Sequence, residues 1–324
     1  MWYSVMWNGS KKMSDNTLPQ NITTAELMAV DYRYNYTNAE LNADWSKLKT
    51  TKLFKKGAQF KPGMKLCQHF MPNFWTIEND KGQSFEKAWQ DPIIMDKVRE
   101  WGLQGMSNLW LSWIRRAVYM CAGLANSSFY RPHFSRQICM MTGKEHGVAF
   151  DPCMGWGGRM LGVASLDWQY IGCDPNMETY NNLNRMVEFL DIKDKVQMWG
   201  IGAEEFAYKM AQPVDVVVTS PPYFNLEVYT GDTEQSYNKH NTYDAWRDGW
   251  YVPLIENCLS ILKDDGISAW NVMNFKKNDL VGDLIKTHEK HGWKLVGTVG
   301  FDSPLANIRA LKNKDVTYIF RKDV

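Results

Sequence analysis

An apolar, valine-rich run at residues 214–218 is followed at once by two consecutive prolines, and this combination constrains the fold more than any other feature of the sequence. A β-branched run of this length predicts a buried central strand. Proline has no N–H to continue a ladder, so the strand must end at a stiff corner. The corner consists of Thr219, Ser220, Pro221, Pro222, Tyr223 and Phe224. Its main-chain carbonyls remain acceptors beside an aromatic ring, which suits a planar base that carries an amine.

Length and composition set the broad class. With 324 residues and 44% apolar content, the chain is long enough for one large domain, or for a catalytic domain with a smaller partner. No apolar run is long enough to span a bilayer, and the first residues lack the pattern of a signal peptide. Six scattered cysteines without a CxxC pair indicate reduced thiols, so we expect a cytoplasmic protein. Cys67 and His69 lack a second Cys/His pair, and we predict no metal site.

A glycine-rich turn is predicted between a strand at residues 148–150 and an apolar helix that begins near Arg159. Glycine has no Cβ and tolerates positive φ, so a ligand can approach this backbone closely. The turn consists of Asp151, Pro152, Cys153, Met154, Gly155, Trp156, Gly157 and Gly158. The next predicted strand, at residues 168–173, ends in Asp174. An acid about twenty positions after such a turn is where nucleoside-binding sheets hold ribose hydroxyls.

Strands and helices alternate through the rest of the chain. We predict helices at residues 177–190 and 242–262, and strands at 196–199 and 267–272, with a turn at residues 263–266 before the last of these. Residues 293–301 and 316–320 predict an antiparallel hairpin at the end. Such alternation favours a doubly wound sheet that binds its ligands at the carboxyl edge.

Two motifs carry a resemblance to a known family. The run from Ser220 to Tyr223 resembles the S-P-P-Y/F motif of the amino-group DNA methyltransferases, which use S-adenosylmethionine. The run from Asp151 to Gly158 resembles the D-P-F-x-G-x-G motif of that family, with Cys153 replacing phenylalanine and Gly158 at a Ser/Thr position. The resemblance covers about residues 128–322. It implies an α/β fold: a Rossmann-like doubly wound methyltransferase sheet with a C-terminal antiparallel hairpin, preceded by an N-terminal mixed or mainly helical lobe.

The resemblance also implies where the cofactor binds. Asp151, Pro152, Gly155 and Gly157 would hold its methionine end, because an acid and free N–H groups at a helix start complement an ammonium and a carboxylate. Asp174 would bind the ribose. In the family the third strand often presents an acceptor to the adenine amine, and Glu204 fits that position, with Glu205 as the alternative. The segment before the cofactor strand contributes Arg131 and Phe134, with Arg136 as the alternative arginine.

The motif at residues 220–223 implies the chemistry. A flipped base would place its exocyclic amine against Ser220 Oγ and the Pro221 carbonyl, held by the stiff Pro221–Pro222 corner, with Tyr223 stacked on the base and Phe224 beside it. In the family a serine in the first position is typical of cytosine N4 enzymes, whereas Asp or Asn is more typical of adenine N6 enzymes. We therefore expect a DNA cytosine N4 methyltransferase. Three alternatives stay open: adenine N6 methylation, methylation of an RNA base, and a catalytically silent nucleic-acid-binding subunit.

The N-terminal part carries the basic excess. Its lysines cluster between Ser46 and Lys65 without an intervening acid, although the whole chain has a net charge of only +1. Clustered lysines can hold a phosphate backbone without reading sequence, but a solvated surface loop has the same pattern. We expect residues 1–125 to form an N-terminal lobe with a possible DNA-binding or target-recognition role, and residues 126–324 to form the catalytic domain. The residues predicted to contact DNA are Lys52, Lys55, Lys56 and Arg309. The sequence leaves the oligomeric state open.

Overall fold

The computed structural model describes residues 17–51, 61–79, 81–103, 109–124, 128–224, 235–236, 238–300 and 316–323. The strands are β1 (Thr17–Leu18), β2 (Leu109–Trp110), β3 (His146–Asp151), β4 (Asp167–Cys173), β5 (Val196–Trp199), β6 (Val214–Thr219), β7 (Leu262–Val272), β8 (Trp293–Val299) and β9 (Val316–Lys322). The longer helices are α1 (Thr24–Met28), α2 (Asn38–Thr50), α3 (Met64–Phe70), α4 (Phe85–Trp89), α5 (Pro92–Leu103), α6 (Leu111–Cys121), α7 (Pro132–Met140), α8 (Gly158–Ala164), α9 (Met177–Leu190), α10 (Tyr243–Trp246), α11 (Val252–Ile261) and α12 (Leu280–Lys290).

The chain divides into two compact units. One contains the described residues within Met1–Arg33 and Gln83–Asn126, and the other contains those within Tyr34–Gly82 and Ser127–Val324. The described residues within 34–82 therefore fold with the sheet, rather than with the rest of the N-terminal part. The functional division between residues 1–125 and 126–324 stays a prediction.

The first unit is mainly helical. The Trp101 and Trp113 rings of α5 and α6 stack with centroids 5.1 Å apart, and a short antiparallel pair joins β1 to β2. The buried Arg115 guanidinium donates hydrogen bonds to the carbonyls of Tyr32 and Arg33, at 2.6 and 3.2 Å. Helices α5 and α6 agree with the mixed or mainly helical N-terminal lobe that the resemblance implied.

The second unit is built on a seven-stranded sheet with the order β5-β4-β3-β6-β7-β9-β8. Strands β3 to β7 pair in parallel, and β9 runs antiparallel to both β7 and β8. All six residues of β6 are buried, which confirms the central strand predicted from the valine run. The chain winds outward from β3 in one direction and from β6 in the other, so the topological switch point lies between these two strands. The predicted doubly wound sheet and its C-terminal antiparallel strands are confirmed.

The structure corrects the predictions at two places. The turn predicted at residues 263–266 is wrong, because these residues belong to β7. Leu262 pairs with Val214 and Ile267 with Val216, so residues 263–266 form an irregular stretch opposite Asp215 alone. The buried Asp215 carboxylate accepts hydrogen bonds from Lys144 and Lys263, at 2.7 and 2.9 Å, and this stabilises the irregularity. The second place is α2, in a stretch whose weak periodicity gave no helix prediction; Thr37 and Glu40 form a capping box at its start.

The described part of the chain contains no helix long and apolar enough to cross a membrane.

Candidate active site

The glycine-rich turn connects β3 to α8 at the switch point. Gly155 and Gly157 have φ values of 49° and 78°, in the left-handed region that favours glycine. A Cβ on Gly157 would lie 2.6 Å from Leu183 Cδ2 of α9, so another residue would be strained at this φ and would displace the leucine side chain. The N–H of Met154 donates to the Cys173 carbonyl at 3.0 Å, which attaches the turn to the end of β4. The backbone conformation of this turn is therefore fixed by its neighbours.

Helix α7 packs directly against α8 beside this turn. A Cβ on Gly158 would overlap the Tyr130 carbonyl, and one on Gly162 would overlap the Pro132 carbonyl and Ser135 Oγ. The two glycines thus allow the backbones to approach closely. The Arg131 guanidinium lies over the Phe134 ring, 5.6 Å from its centroid. Residues 130–136 therefore lie next to the glycine turn, and the cofactor roles of Arg131 and Phe134 stay predictions.

Arg136, the alternative to Arg131 as the cofactor arginine, forms its hydrogen bonds within the fold. Its guanidinium is buried and donates to the carbonyls of Lys49, Thr51 and Ser165, at 2.9, 3.1 and 2.8 Å. These carbonyls lie at the C-terminal ends of α2 and α8, where a cation is favoured. Arg136 is therefore a structural capping residue and neither a surface charge nor a cofactor contact.

Asp151, at the end of β3, is fully buried and engaged in a hydrogen-bond network. Its Oδ2 accepts from Arg159 Nε at 2.7 Å and from the Tyr170 hydroxyl at 2.9 Å, and its Oδ1 accepts from the Cys153 N–H at 3.3 Å. Arg159 is also buried, and its guanidinium donates to the Cys153 carbonyl. A negative charge and a positive charge thus neutralise each other beneath the glycine turn.

Asp174, at the end of β4, has a more open environment and is only half-buried. Its oxygens accept from the N–H groups of Gly155 and Asn176, at 2.9 and 3.0 Å. Burial raises the pKa of this carboxyl, and the two backbone hydrogen bonds oppose that shift only in part. The hydrogen bond to Gly155 holds Asp174 against the glycine turn, where a ligand bound by the turn would meet it.

Glu204 lies beyond the end of β5 and already has two partners. Lys239 Nζ lies 2.8 Å from its Oε1, and the Trp250 indole N–H donates to its Oε2 at 3.0 Å. Burial alone would raise the pKa of Glu204, but the hydrogen bonds from Lys239 and Trp250 lower it below its usual value. Trp250 belongs to a π-helical segment, Arg247–Tyr251, between α10 and α11. Glu205 instead accepts from the Gly202 N–H at 3.2 Å.

The corner after β6 is attached to the end of β7 through Asn271. The Asn271 main-chain carbonyl accepts from the Ser220 hydroxyl at 3.1 Å and from the Tyr223 hydroxyl at 3.2 Å. The Asn271 side-chain amide donates back to the Tyr223 hydroxyl at 3.2 Å. Pro221 is buried and Pro222 half-buried, so packing around the two prolines also holds the corner.

Phe224 follows the corner with φ 58°, an unusual conformation for a non-glycine residue. Its ring lies 5.7 Å from Trp246 and 6.0 Å from Tyr243, measured between centroids. The described structure thus packs Phe224 against the covering helix α10.

The described site lies at the carboxyl ends of β3, β4 and β6, where its glycine turn and its proline corner flank the switch point. Residues 214–323 match a family model described as DNA methylase. Over this segment the chain is similar to the DNA methylase family. The amino-group methyltransferase resemblance is therefore confirmed, and the family implies S-adenosylmethionine as the cofactor. The match covers the proline corner but not the glycine turn.

Similar solved structures are methyltransferases of several kinds. An rRNA methylase from Streptococcus thermophilus is 13% identical, with a TM-score of 0.42, over 60% of this chain and 99% of that one. An O-methyltransferase from Thermotoga maritima is 14% identical, with a TM-score of 0.41, over 63% and 69% of the two chains. A putative RNA methyltransferase from Pyrococcus horikoshii is 16% identical, with a TM-score of 0.39, over 60% and 84%. No curated protein sequence matches the chain significantly.

The structure brings the predicted residues into two groups. Asp151, Gly155 and Asp174 meet at the glycine turn, and Ser220 and Tyr223 meet at Asn271; their individual roles stay predictions. Lys52, Lys55, Lys56 and Arg309 lie outside the described residues, as does most of the polar segment after Phe224. The sequence analysis missed Arg159, Tyr170 and Asn271. Of these, only Arg159 gave a signal, because a cation in the first turn of a helix opposes the dipole and requires a nearby acid.

Proposed function

We propose that the protein transfers a methyl group from S-adenosylmethionine to the exocyclic amine of a base in DNA, with cytosine N4 as the target. The observation that carries this proposal is the corner at residues 220–223, in which Ser220 and Tyr223 both donate their protons to one carbonyl of Asn271. Ser220 Oγ then keeps lone pairs to accept a hydrogen bond from an amine.

The residues at the glycine turn suit the proposed cofactor. Gly155 and Gly157 leave a backbone that a ligand can approach, and Asp174 offers a carboxylate at the end of β4. A carboxylate in this position would accept hydrogen bonds from the ribose hydroxyls. Glu204, held by Lys239 and Trp250, would lie on the adenine side. S-adenosylmethionine supplies a methyl group made electrophilic by a positively charged sulfur.

The protein's own contribution is orientation. An exocyclic amine is a weak nucleophile, because its lone pair is delocalised into the ring. Hydrogen bonds from the amine to Ser220 Oγ and to the Pro221 carbonyl would direct that lone pair towards the methyl group. The amine becomes strongly acidic only after methylation, so it then releases its proton to water without a strong general base. A base in a duplex must leave the stack to reach this corner.

The experiment combines labelling with product identification. Purified full-length protein is incubated with methyl-labelled S-adenosylmethionine and unmethylated genomic DNA, and the DNA is digested to nucleosides for mass spectrometry. We expect label in N4-methylcytosine. Label in N6-methyladenine would retain the reaction and refute the cytosine assignment. Label in added RNA but not in DNA would refute the DNA substrate, and no label in either would favour a silent nucleic-acid-binding subunit.

Matched variants test the corner itself. Ser220→Ala and Tyr223→Ala are expected to retain cofactor binding, measured by calorimetry, and to lose turnover. Ser260→Ala is the control, since Ser260 is exposed and bonds only locally to the Asn257 carbonyl at 2.7 Å. Full turnover of Ser220→Ala would show that the amine is held elsewhere.

A further inference from the structure

A chain of hydrogen bonds runs from the catalytic corner into the sheet and across to the segment before α7. Asn271 Oδ1 accepts from the Thr317 hydroxyl at 3.0 Å, and the two residues face each other in the β7–β9 pairing. Thr317 Oγ1 lies 3.3 Å from the Tyr130 hydroxyl. Thr317 is fully buried, and Asn271 is 8% exposed. Buried polar groups cost free energy of folding unless their hydrogen bonds are made. The hydrogen-bond chain therefore specifies one arrangement of these side chains.

The direction of each hydrogen bond in this chain follows from the chemistry of its ends. An amide oxygen can only accept, so the Thr317 proton points to Asn271 Oδ1, and the Tyr130 hydroxyl must be the donor to Thr317. The Asn271 amide is then oriented with Nδ2 towards Tyr223, where it donates at 3.2 Å. The Tyr223 hydroxyl in turn donates to the Asn271 main-chain carbonyl. Each of these hydrogen bonds from Tyr130 to Tyr223 thus has a defined donor and acceptor.

The far end of the chain reaches the glycine turn. The Arg159 guanidinium lies over the Tyr130 ring, 5.2 Å from the ring centroid, while Arg159 forms its ion pair with Asp151 at 2.7 Å. The Tyr130 carbonyl also lies against Gly158 at the start of α8. Tyr130 therefore contacts the cofactor side of the site through its ring and backbone, and the target side through its hydroxyl.

We propose that Tyr130, Thr317 and Asn271 are positioning residues for methyl transfer, which hold the Tyr223 hydroxyl and orient the corner as a hydrogen-bond acceptor. This inference rests on the proposed function and adds three residues to it. With the protons of both Ser220 and Tyr223 committed to Asn271, the corner accepts from an amine and does not donate to a carbonyl at the same position of a base. The chain also fixes the corner relative to the glycine turn, so both halves of the site keep one mutual geometry.

The test compares two substitutions at one position. Thr317→Val keeps the side-chain shape and removes the proton donor, whereas Thr317→Ser keeps the donor and removes a methyl group. Loss of one neutral hydrogen bond is expected to lower kcat about five- to tenfold in Thr317→Val, with cofactor Kd unchanged within about twofold. Thr317→Ser is expected to retain near wild-type kcat. If both variants lose the same activity, Thr317 serves only packing, and the proposal is overturned.

Tyr130→Phe tests the far end, because it removes the hydroxyl and keeps the ring beneath Arg159. We expect the double variant Tyr130→Phe with Thr317→Val to be no slower than Thr317→Val alone, since both break one chain. If the losses of kcat in the two single variants add in the double variant, Tyr130 and Thr317 do not act through one hydrogen-bond chain. The controls are Thr287→Val and Tyr251→Phe, two buried hydroxyls that bond to the Asp283 and Leu280 carbonyls, at 2.8 and 3.4 Å, in α12.

A second readout does not depend on turnover. In nitrogen-15 spectra of the full-length protein, the Asn271 side-chain amide hydrogens are expected to exchange slowly with solvent. The exchange should accelerate in Thr317→Val and stay slow in Thr317→Ser. Rapid exchange in the wild-type protein would overturn the proposal even if methylation is observed. If the Asn271 amide hydrogens exchange slowly in the wild-type protein and faster only in Thr317→Val, the hydrogen-bond chain is supported even if no nucleic acid is methylated. In that case only the proposed function fails.

Discussion

The ends of β3 and β4 each present an aspartate at the carboxyl edge of the same sheet, and their surroundings differ. Asp151 is fully buried and forms an ion pair with Arg159, whereas Asp174 is half-buried and accepts only from two backbone N–H groups. A carboxylate that is already neutralised holds the structure together. Burial raises the pKa of the Asp174 carboxyl, so a ligand that supplies further hydrogen-bond donors would stabilise its ionised form. Equivalent positions in neighbouring strands thus have different environments, which suit Asp151 to stability and, under the proposed function, Asp174 to binding.

The largest expected effect comes from breaking the buried pair. Asp151→Asn leaves the Arg159 cation buried without its counter-charge, which should lower the free energy of unfolding by about 3–5 kcal/mol. Urea denaturation measures this loss. The double variant Asp151→Asn with Arg159→Met is expected to recover part of it, because no uncompensated charge remains. A loss below about 1 kcal/mol in the single variant would show that Asp151 is not the structural member of the two aspartates.

Asp174→Asn should give the opposite result. Because burial raises the pKa of Asp174, ionisation is less favourable in the folded protein than in the unfolded chain, so the ionised group costs stability at neutral pH. Removing the charge offsets the loss of the one backbone hydrogen bond that the amide cannot accept, so we expect a much smaller change in the free energy of unfolding than for Asp151→Asn. Cofactor Kd should increase roughly 10- to 100-fold, as for lost hydrogen bonds to a charged group. Calorimetric titration with S-adenosylmethionine checks this, and unchanged affinity would refute the assignment of Asp174.

Acid should weaken cofactor binding through Asp174. Protonation removes a carboxylate acceptor, and because burial raises the pKa of Asp174, this protonation occurs at a higher pH than in an exposed aspartate. Affinity is expected to fall as pH decreases through that pKa, by at most about tenfold per pH unit. The Asp174→Asn variant provides the control, since its affinity should not change over the same interval. Parallel pH profiles in both proteins would assign the titration to another group.

Glu204 should contribute least. Its charge is already compensated by Lys239, and the Trp250 indole holds its second oxygen. We expect Glu204→Gln to raise cofactor Kd about two- to fivefold, a change in the range of one neutral hydrogen bond. The same titration measures it. An increase as large as that of Asp174→Asn would show that the end of β5 contributes as much to binding as the end of β4.

Sequence patterns predicted the second unit well where local signals agree. The helix α9 and the strand β5 were predicted with their observed bounds, because apolar periodicity and flanking polar residues coincide there. The turn before residue 267 was wrong, since Lys263 and its polar neighbours look like a loop until Asp215 is known to lie opposite. Helix α2 was missed because its apolar pattern is weak.

The site was predictable at motif level and not at contact level. The two motifs identified Asp174 and Ser220 because each directly follows a strand. Nothing in the sequence indicated that Asn271 lies beside Ser220, or that Thr317 lies opposite Asn271, since pairing between distant strands determines both. The partner of Asp151 is set by the first turn of α8, whose arginine is the only local clue.

Arg136 also determines how far the C-terminal end of α2 lies from the glycine turn. By joining Thr51 to Ser165, it holds the C-terminal end of α2 at the C-terminal end of α8, whereas the glycine turn lies at the N-terminal end of α8. The seven residues of α8 measure about 10 Å, at about 1.5 Å per residue. The C-terminal end of α2 and the glycine turn are therefore held apart by the length of α8. Under the proposed function, a phosphate contact at the end of α2 would be separate from the contacts that the flipped base makes.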